Sequence, residues 1–152
     1  MWTNHEVIMN ETIIQALFNW FADCEILSPD YDLNVDSLGE DAQQYCIEVV
    51  PCKSVITRYA DGSSKNQYLF IFASREFYSE DECNNMKNLG FYEKLEDWIE
   101  KQSLNNNLPL LPEGHTAQSV EVLSSGYVMD NDTRTARYQI QCRLKYIKTG
   151  GL

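Results

Sequence analysis

The sequence predicts an α+β fold: a mainly antiparallel sheet of about four to six strands packed with two main helices. Three observations carry this. The first is the run Arg137 to Tyr146, where Tyr138, Ile140, Cys142, Leu144 and Tyr146 alternate without a miss against Arg137, Gln139, Gln141, Arg143 and Lys145. Successive side chains of a strand point to opposite faces, so this run has one buried and one wet face. The second is the order of segments: helix, short strand, three strands, helix, two strands. Strands grouped between helices, rather than strictly alternating with them, indicate α+β. The third is Tyr68 to Ala73, apolar on both faces, with Tyr68, Phe70 and Phe72 on one and Leu69, Ile71 and Ala73 on the other. Such a strand belongs mid-sheet with both faces covered. Either the two helices share those faces, or a partner subunit covers part of one.

In chain order, Val7, Ile8, Ile14, Leu17, Phe18, Phe21 and Cys24 recur at three-to-four spacing and predict an amphipathic helix from Glu6 to about Leu27. Asn4 or Asn10 caps its start, and Ser28-Pro29 ends it, because proline disfavours helix at the residue before it. Asp30 to Asp36 has the oxygen spacing of a calcium loop at Asp30, Asp32, Asn34 and Asp41. Val35 occupies the sharp-turn position that is normally glycine, and the alternation of Tyr31, Leu33 and Val35 favours a short strand instead. Tyr45 to Val50 is a strand closed by Pro51. Ser54 to Tyr59 and Gln67 to Ser74 flank a loop led by Asp61-Gly62 and form a hairpin.

Ser79 to Asp81 opens the second helix, with Met86, Leu89, Tyr92, Leu95, Trp98 and Ile99 as its stripe. Gly90 interrupts the pattern, so the first turns are expected to be a separate short piece. Asp97 and Lys101 form a weak i, i+4 pair. Asn105-Asn106-Asn107 frays the end, and a proline-rich connector leads to a final hairpin, Ser119 to Met129 and Arg137 to Tyr146. Ser124-Ser125-Gly126 predicts a bulge or bend in its first strand.

At 152 residues the chain is one domain, 1–152, with mobile ends expected at 1–5 and 148–152. A net charge of −11 repels phosphate backbones, so no direct nucleic-acid binding is expected. Arg134, Arg137, Arg143, Lys145 and Lys148 are expected to form a solvated strand face. No apolar run is long enough to span a bilayer, and no secretory leader is apparent. The five cysteines, Cys24, Cys46, Cys52, Cys83 and Cys142, contain no C-x-x-C and are expected to be reduced thiols, with Cys142 in the core. No phosphate-binding, dinucleotide, zinc-protease or nucleophile-elbow motif occurs. The carboxylates form a helix start and a solvated helix face rather than an acid–base pair. A Cys83–His115 nucleophile pair is the one catalytic arrangement left open.

Three stretches together carry a resemblance: V-P-C-K-S-V-I-T-R-Y-A-D-G-S-S-K-N-Q-Y-L-F-I-F-A-S-R-E-F-Y; L-G-F-Y-E-K-L-E-D-W-I-E; and L-P-E-G-H-T-A-Q-S-V-E-V-L-S-S-G-Y through A-R-Y-Q-I-Q-C-R-L-K-Y. From about Asn34 to Ile147 the chain resembles a family of small phage and prophage proteins of Gram-positive gut bacteria, often called minor capsid or tail proteins. In element order these look similar to tail terminators of long-tailed phages. That resemblance implies a hexameric ring capping the tail tube and joining it to the head connector. The implied partners are the chain itself, the tail-tube protein and head–tail connector proteins. The implied locations are the host cytoplasm during assembly and then the virion. It supplies no catalytic, cofactor or metal residues. Strand edges and two loops, with Asp61, Gly62, Ser63 and Lys65 in one and Asp130, Asn131, Asp132 and Arg134 in the other, are the expected subunit contacts. An acidic module binding a host protein, or a small enzyme without a motif, are the alternative classes.

Overall fold

The structure, a computed structural model, describes residues 10–78, 82–131 and 134–150, with side chains excepted at 82–84 and 129–131. Along the chain run α1 (Ile13–Ala22), β1 (Asp32–Val35), β2 (Gln44–Val50), β3 (Val55–Arg58), β4 (Ser64–Phe77), α2 (Glu82–Leu104), β5 (His115–Val122), β6 (Tyr127–Asn131) and β7 (Thr135–Lys148). The α+β class and the mainly antiparallel sheet are as the sequence predicts. Seven strands appear among the described residues rather than six, because Ser124 to Gly126 splits the penultimate strand into β5 and β6.

The spine is the pairing of β4 with β7, antiparallel over 14 residues from Ser64 opposite Lys148 to Phe77 opposite Thr135. At about 3.3 Å per residue this ladder is roughly 43 Å long. β2 and β3 lie end to end along one side of β4, and β5 and β6 along the far side of β7. β1 pairs parallel with β2 at the edge.

This register fixes the faces. Ser74, Phe72 and Phe70 share a face with Tyr138, Ile140 and Cys142 of β7 and with Tyr45, Ile47 and Val49 of β2. Both helices pack on that face. The Phe21 ring of α1 lies 5.0 Å from Phe72 and 6.0 Å from Phe70, and Trp20 lies 4.7 Å from Trp98 of α2. Leu17, Phe21, Leu95, Ile99, Phe70, Phe72, Ile140 and Leu144 are completely buried between the layers. The helices therefore do not share the two faces; no described element covers the second.

Several expected boundaries move. Among the described residues α1 starts at Ile13, where Thr12 Oγ1 accepts from the Gln15 amide at 3.2 Å. Asn10 does not cap it: its amide instead donates to the Leu110 carbonyl at 2.7 Å, tying the start of α1 to the connector before β5. The helix ends at Ala22, and Cys24 to Leu27 form turns. α2 runs unbroken through Gly90, which has open space where a side chain would project. Tyr92, Leu95, Trp98 and Ile99 are buried as predicted, but Met86 and Leu89 are exposed. Extending the inward repeat back from Ile99 through Leu95 and Tyr92 by threes and fours reaches Asn88 and Asn85. The stripe turns polar there, and Asn88 donates to the Phe77 carbonyl and to Tyr138 Oη.

Gly126 sits where the strand breaks. A Cβ there would lie 2.4 Å from Tyr92 Cβ, so only glycine lets the chain pass this close to α2. Ser124 Oγ accepts from the Gln141 amide at 3.1 Å, standing in for a ladder partner at the gap.

Candidate interaction surface

The two loops expected to carry contacts lie at opposite ends of the β4–β7 ladder. At one end Tyr59 to Ser63 is a tight turn. Asp61 Oδ1 accepts from the Ser63 amide at 2.9 Å and from Ser63 Oγ at 2.5 Å, and Gly62 takes φ +90°. The Ser63 hydroxyl, then its amide, hold the Asp61 carboxyl below its usual range. Lys65, expected in this loop, belongs to β4, which begins at Ser64. The loop is shorter than predicted because Ser64, Lys65 and Asn66 continue both ladders, pairing with β3 and β7. The end expected to be mobile from 148 is ordered through 150. Lys148 pairs in β7, the Thr149 amide donates to the Gly114 carbonyl at 2.8 Å, and Gly150 lies flat against Gly62. The expected mobile ends 1–5 and 151–152 lie outside the described residues.

At the other end Asp130 and Asn131 belong to β6, opposite Arg137 and Ala136, rather than to a free loop. Asp132 lies outside the described residues. Arg134 is exposed, and its carbonyl accepts from the Tyr78 amide at 2.8 Å.

Large apolar side chains stand exposed at both ends. Ile56 (44%) and Tyr59 (45%) flank the first turn; Phe77 (57%) and Met86 (61%) lie at the other end. Single exposed apolar residues are ordinary, and others, Val49 (40%) and Leu123 (46%) among them, stand between the ends.

Between the ends stretches the uncovered sheet face, with Val50, Leu69 and Ile71 half-buried on it. Arg137 of β7 reaches across β4 to make a two-pronged pair with Glu48 of β2; its Nη1–Oε2 distance is 3.2 Å. Ala73, the residue it passes over, is fully buried, and a larger side chain there would block the reach. Gln139 Oε1 accepts from Arg137 Nε at 2.9 Å, and Gln139 Nε2 donates to Tyr127 Oη at 2.8 Å. Further along, Glu121 takes both Arg143 (2.8 Å) and Lys145 (3.0 Å). The basic strand face expected to be simply solvated is thus largely neutralised in place. Glu48, Glu121, Gln139 and Tyr127 were not singled out from sequence; they become partners only once the strand register is known.

The polar groups under the helices are built for holding rather than reacting. Glu76 accepts from Tyr31 Oη at 2.6 Å, and burial pushes its carboxyl up. Tyr92 Oη donates to the Tyr138 carbonyl at 3.0 Å and meets Ser74 Oγ at 2.7 Å. Burial pushes Tyr45 up to about 12 and the Cys24 thiol up to about 11, and on the opposite face, beside Ala73, it pushes the Cys46 thiol up to about 11, so at neutral pH these remain protonated and unreactive. Cys142 is buried in the core, as predicted. The side chain of Cys83 lies outside the described residues. Its helix starts just beyond the Phe77 end of the ladder, whereas His115 pairs with Lys148 at the opposite end. Asp32 to Val35 form β1, the short strand expected there, and among the described residues no group of three or more His, Cys, Asp or Glu side chains could hold a metal ion. No described helix is long and apolar enough to cross a membrane.

No protein-family model matches the chain, and no curated protein matches its sequence.

Proposed function

We propose that this chain is a phage virion structural protein, a tail terminator or head–tail completion subunit. Six copies form a ring on the tail tube and present a surface to the head connector. The observation that carries the reading is that the Tyr59–Ser63 turn and Arg134 lie at opposite ends of one 14-residue ladder, with exposed apolar side chains near each. A subunit with different surfaces at its two ends suits head-to-tail contacts, which close into a ring when the rotation allows. The half-buried apolar patch of Val50, Leu69 and Ile71 on the uncovered sheet face adds surface for a neighbouring copy. The acidic surplus keeps free subunits apart and soluble before assembly.

Light scattering over a wide concentration range, with and without the neighbouring tail-tube protein, tests this. The expected result is a closed oligomer several times the 17.6 kDa monomer mass, or capture onto tube ends. A monomer indifferent to the tube at every concentration would overturn the proposal in favour of an acidic module acting on a host protein. Alanine substitutions at Asp61, Tyr59 and Arg134 should impair assembly while leaving the monomer folded. Unchanged rings across that scan would remove the turns as contacts.

A further inference from the structure

The turn end of the ladder holds a cavity of about 290 Å³ lined by Arg58, Ser64, Asn66, His115, Tyr146 and Lys148, with the Gly62 and Gly150 backbones at its rim. The register explains why these residues meet. Arg58 of β3 pairs with Ser64 of β4, Ser64 with Lys148 of β7, and Lys148 with His115 of β5. Four neighbouring strands therefore present one straight row of Arg, Ser, Lys and His on the same face. Asn66 and Tyr146, themselves paired, form the row beneath.

The row is unusual in three ways. It gathers cationic side chains in a chain of net charge −11. Among the described residues neither Arg58 nor Lys148 is in an ion pair, unlike Arg137, Arg143 and Lys145 on the other face. Its polar floor is also preset. Asn66, 2% exposed, donates through Nδ2 to Ser64 Oγ at 2.7 Å and to the Ser64 carbonyl at 3.2 Å, leaving the Ser64 hydroxyl proton to be donated elsewhere. His115 Nδ1 lies 3.0 Å from the Glu113 carbonyl, which can only accept, so Nδ1 carries a proton and Nε2 is left for a ligand.

We propose that this cavity binds the phosphate group of a small molecule. A planar carboxylate offers two oxygens, whereas a tetrahedral oxyanion can meet a guanidinium fork, an ammonium, a hydroxyl and an imidazole arriving from different strands. His115 Nε2 accepts from the P–OH of a phosphate monoanion or, when protonated, donates to its oxygen. The volume is at the lower limit of the roughly 300–1,000 Å³ of small-molecule sites, enough for a phosphate with a compact substituent. The site is independent of the virion reading and stands or falls separately.

The test is a titration of the full chain, followed by amide chemical shifts, with inorganic phosphate, ribose 5-phosphate and acetate in separate arms at constant ionic strength. The expected result is a saturable response to both phosphates, confined to Arg58, Ser64, Asn66, His115 and Lys148 and their neighbours. Tighter binding of the sugar phosphate identifies a phosphorylated metabolite as the ligand, and equal binding the phosphate group alone. R58Q and K148Q should each weaken binding about tenfold or more, as loss of one charge-assisted hydrogen bond does. K94Q, which removes an exposed charge on α2, should leave binding unchanged, and the same spectra report that each variant is folded. Acetate binding as tightly as phosphate would overturn the assignment. So would the absence of a saturable response, or equal weakening by K94Q.

Discussion

The two faces of the sheet are made by the same strands and held by different physics. On the helix-covered face, β4 and β7 contribute Phe70, Phe72, Ile140, Cys142 and Leu144, all at most 1% exposed. On the other, the residues between them contribute Leu69, Ile71 and Gln141 together with Arg137, Arg143 and Lys145; Arg137 is tied by an ion pair to Glu48 of β2, and Arg143 and Lys145 to Glu121 of β5. Burial of apolar surface is non-directional and scales with area, whereas ion pairs at partly wet positions gain little net energy but require a particular register. The comparison teaches that the covered face supplies stability, and that the face over which no described element packs fixes alignment.

The sharpest way to break the comparison is Phe72→Ala. Phe72 is fully buried and packs on Phe21 and on Tyr45 at 5.4 Å. Its truncation should cost about 3–5 kcal/mol, read as a fall in the thermal or urea midpoint. Ile71→Ala, one residue away on the open face, should cost much less. Equal losses would mean that the open face is also core.

Gly126→Ala should come next. The added methyl meets Tyr92 Cβ at 2.4 Å, so either the β5–β6 break or α2 must shift, at about 1–3 kcal/mol. Ala at Gly90 is the matched control, since a Cβ there meets nothing; it should stabilise by roughly 0.5–1 kcal/mol. Identical effects at both glycines would refute the packing explanation.

Glu76 gives a prediction whose sign matters more than its size. Burial raises its folded carboxyl above the unfolded value, so between the two the folded state holds the extra proton. Stability from this group is therefore full below the ordinary carboxylate range and falls as pH rises through the folded value. Glu76→Gln keeps an acceptor for Tyr31 and removes the charge. It should flatten that part of the pH–stability curve and gain on wild type as pH rises, and a steeper curve would contradict it.

Legibility followed the same division. The alternation in Arg137 to Tyr146 and the apolar run Tyr68 to Ala73 were enough to place the central strands, because period and hydrophobicity are local properties. Which partner covers which face is not local. Nothing in Glu48 or Glu121 marks them as partners of Arg137 and Arg143, and the row Arg58–Ser64–Lys148–His115 spans 91 positions from first to last. The inward step of α2 onto Asn85 and Asn88 was missed for a related reason. Met86 and Leu89 match the apolar pattern better, but the helix phase set by Tyr92, Leu95 and Ile99 turns them outward.

The finest comparison is between two ion pairs of the same chemistry. Arg137–Glu48 is 18% and 28% exposed, with two prongs and Gln139 supporting the guanidinium. Lys101–Asp97, at 2.8 Å on the outside of α2, is 67% and 60% exposed. Water screens the second pair and leaves both side chains the entropy of alternative rotamers, whereas the first is held by its neighbours before it pairs. A double-mutant cycle with R137Q and E48Q should therefore return a coupling of about 1 kcal/mol. The cycle with K101Q and D97N should return none that can be measured, and the difference should persist in high salt. If the exposed pair coupled as strongly as the sheet pair, register on the open face would rest on something other than Arg137, and the close fit of Ala73 beneath it would be incidental.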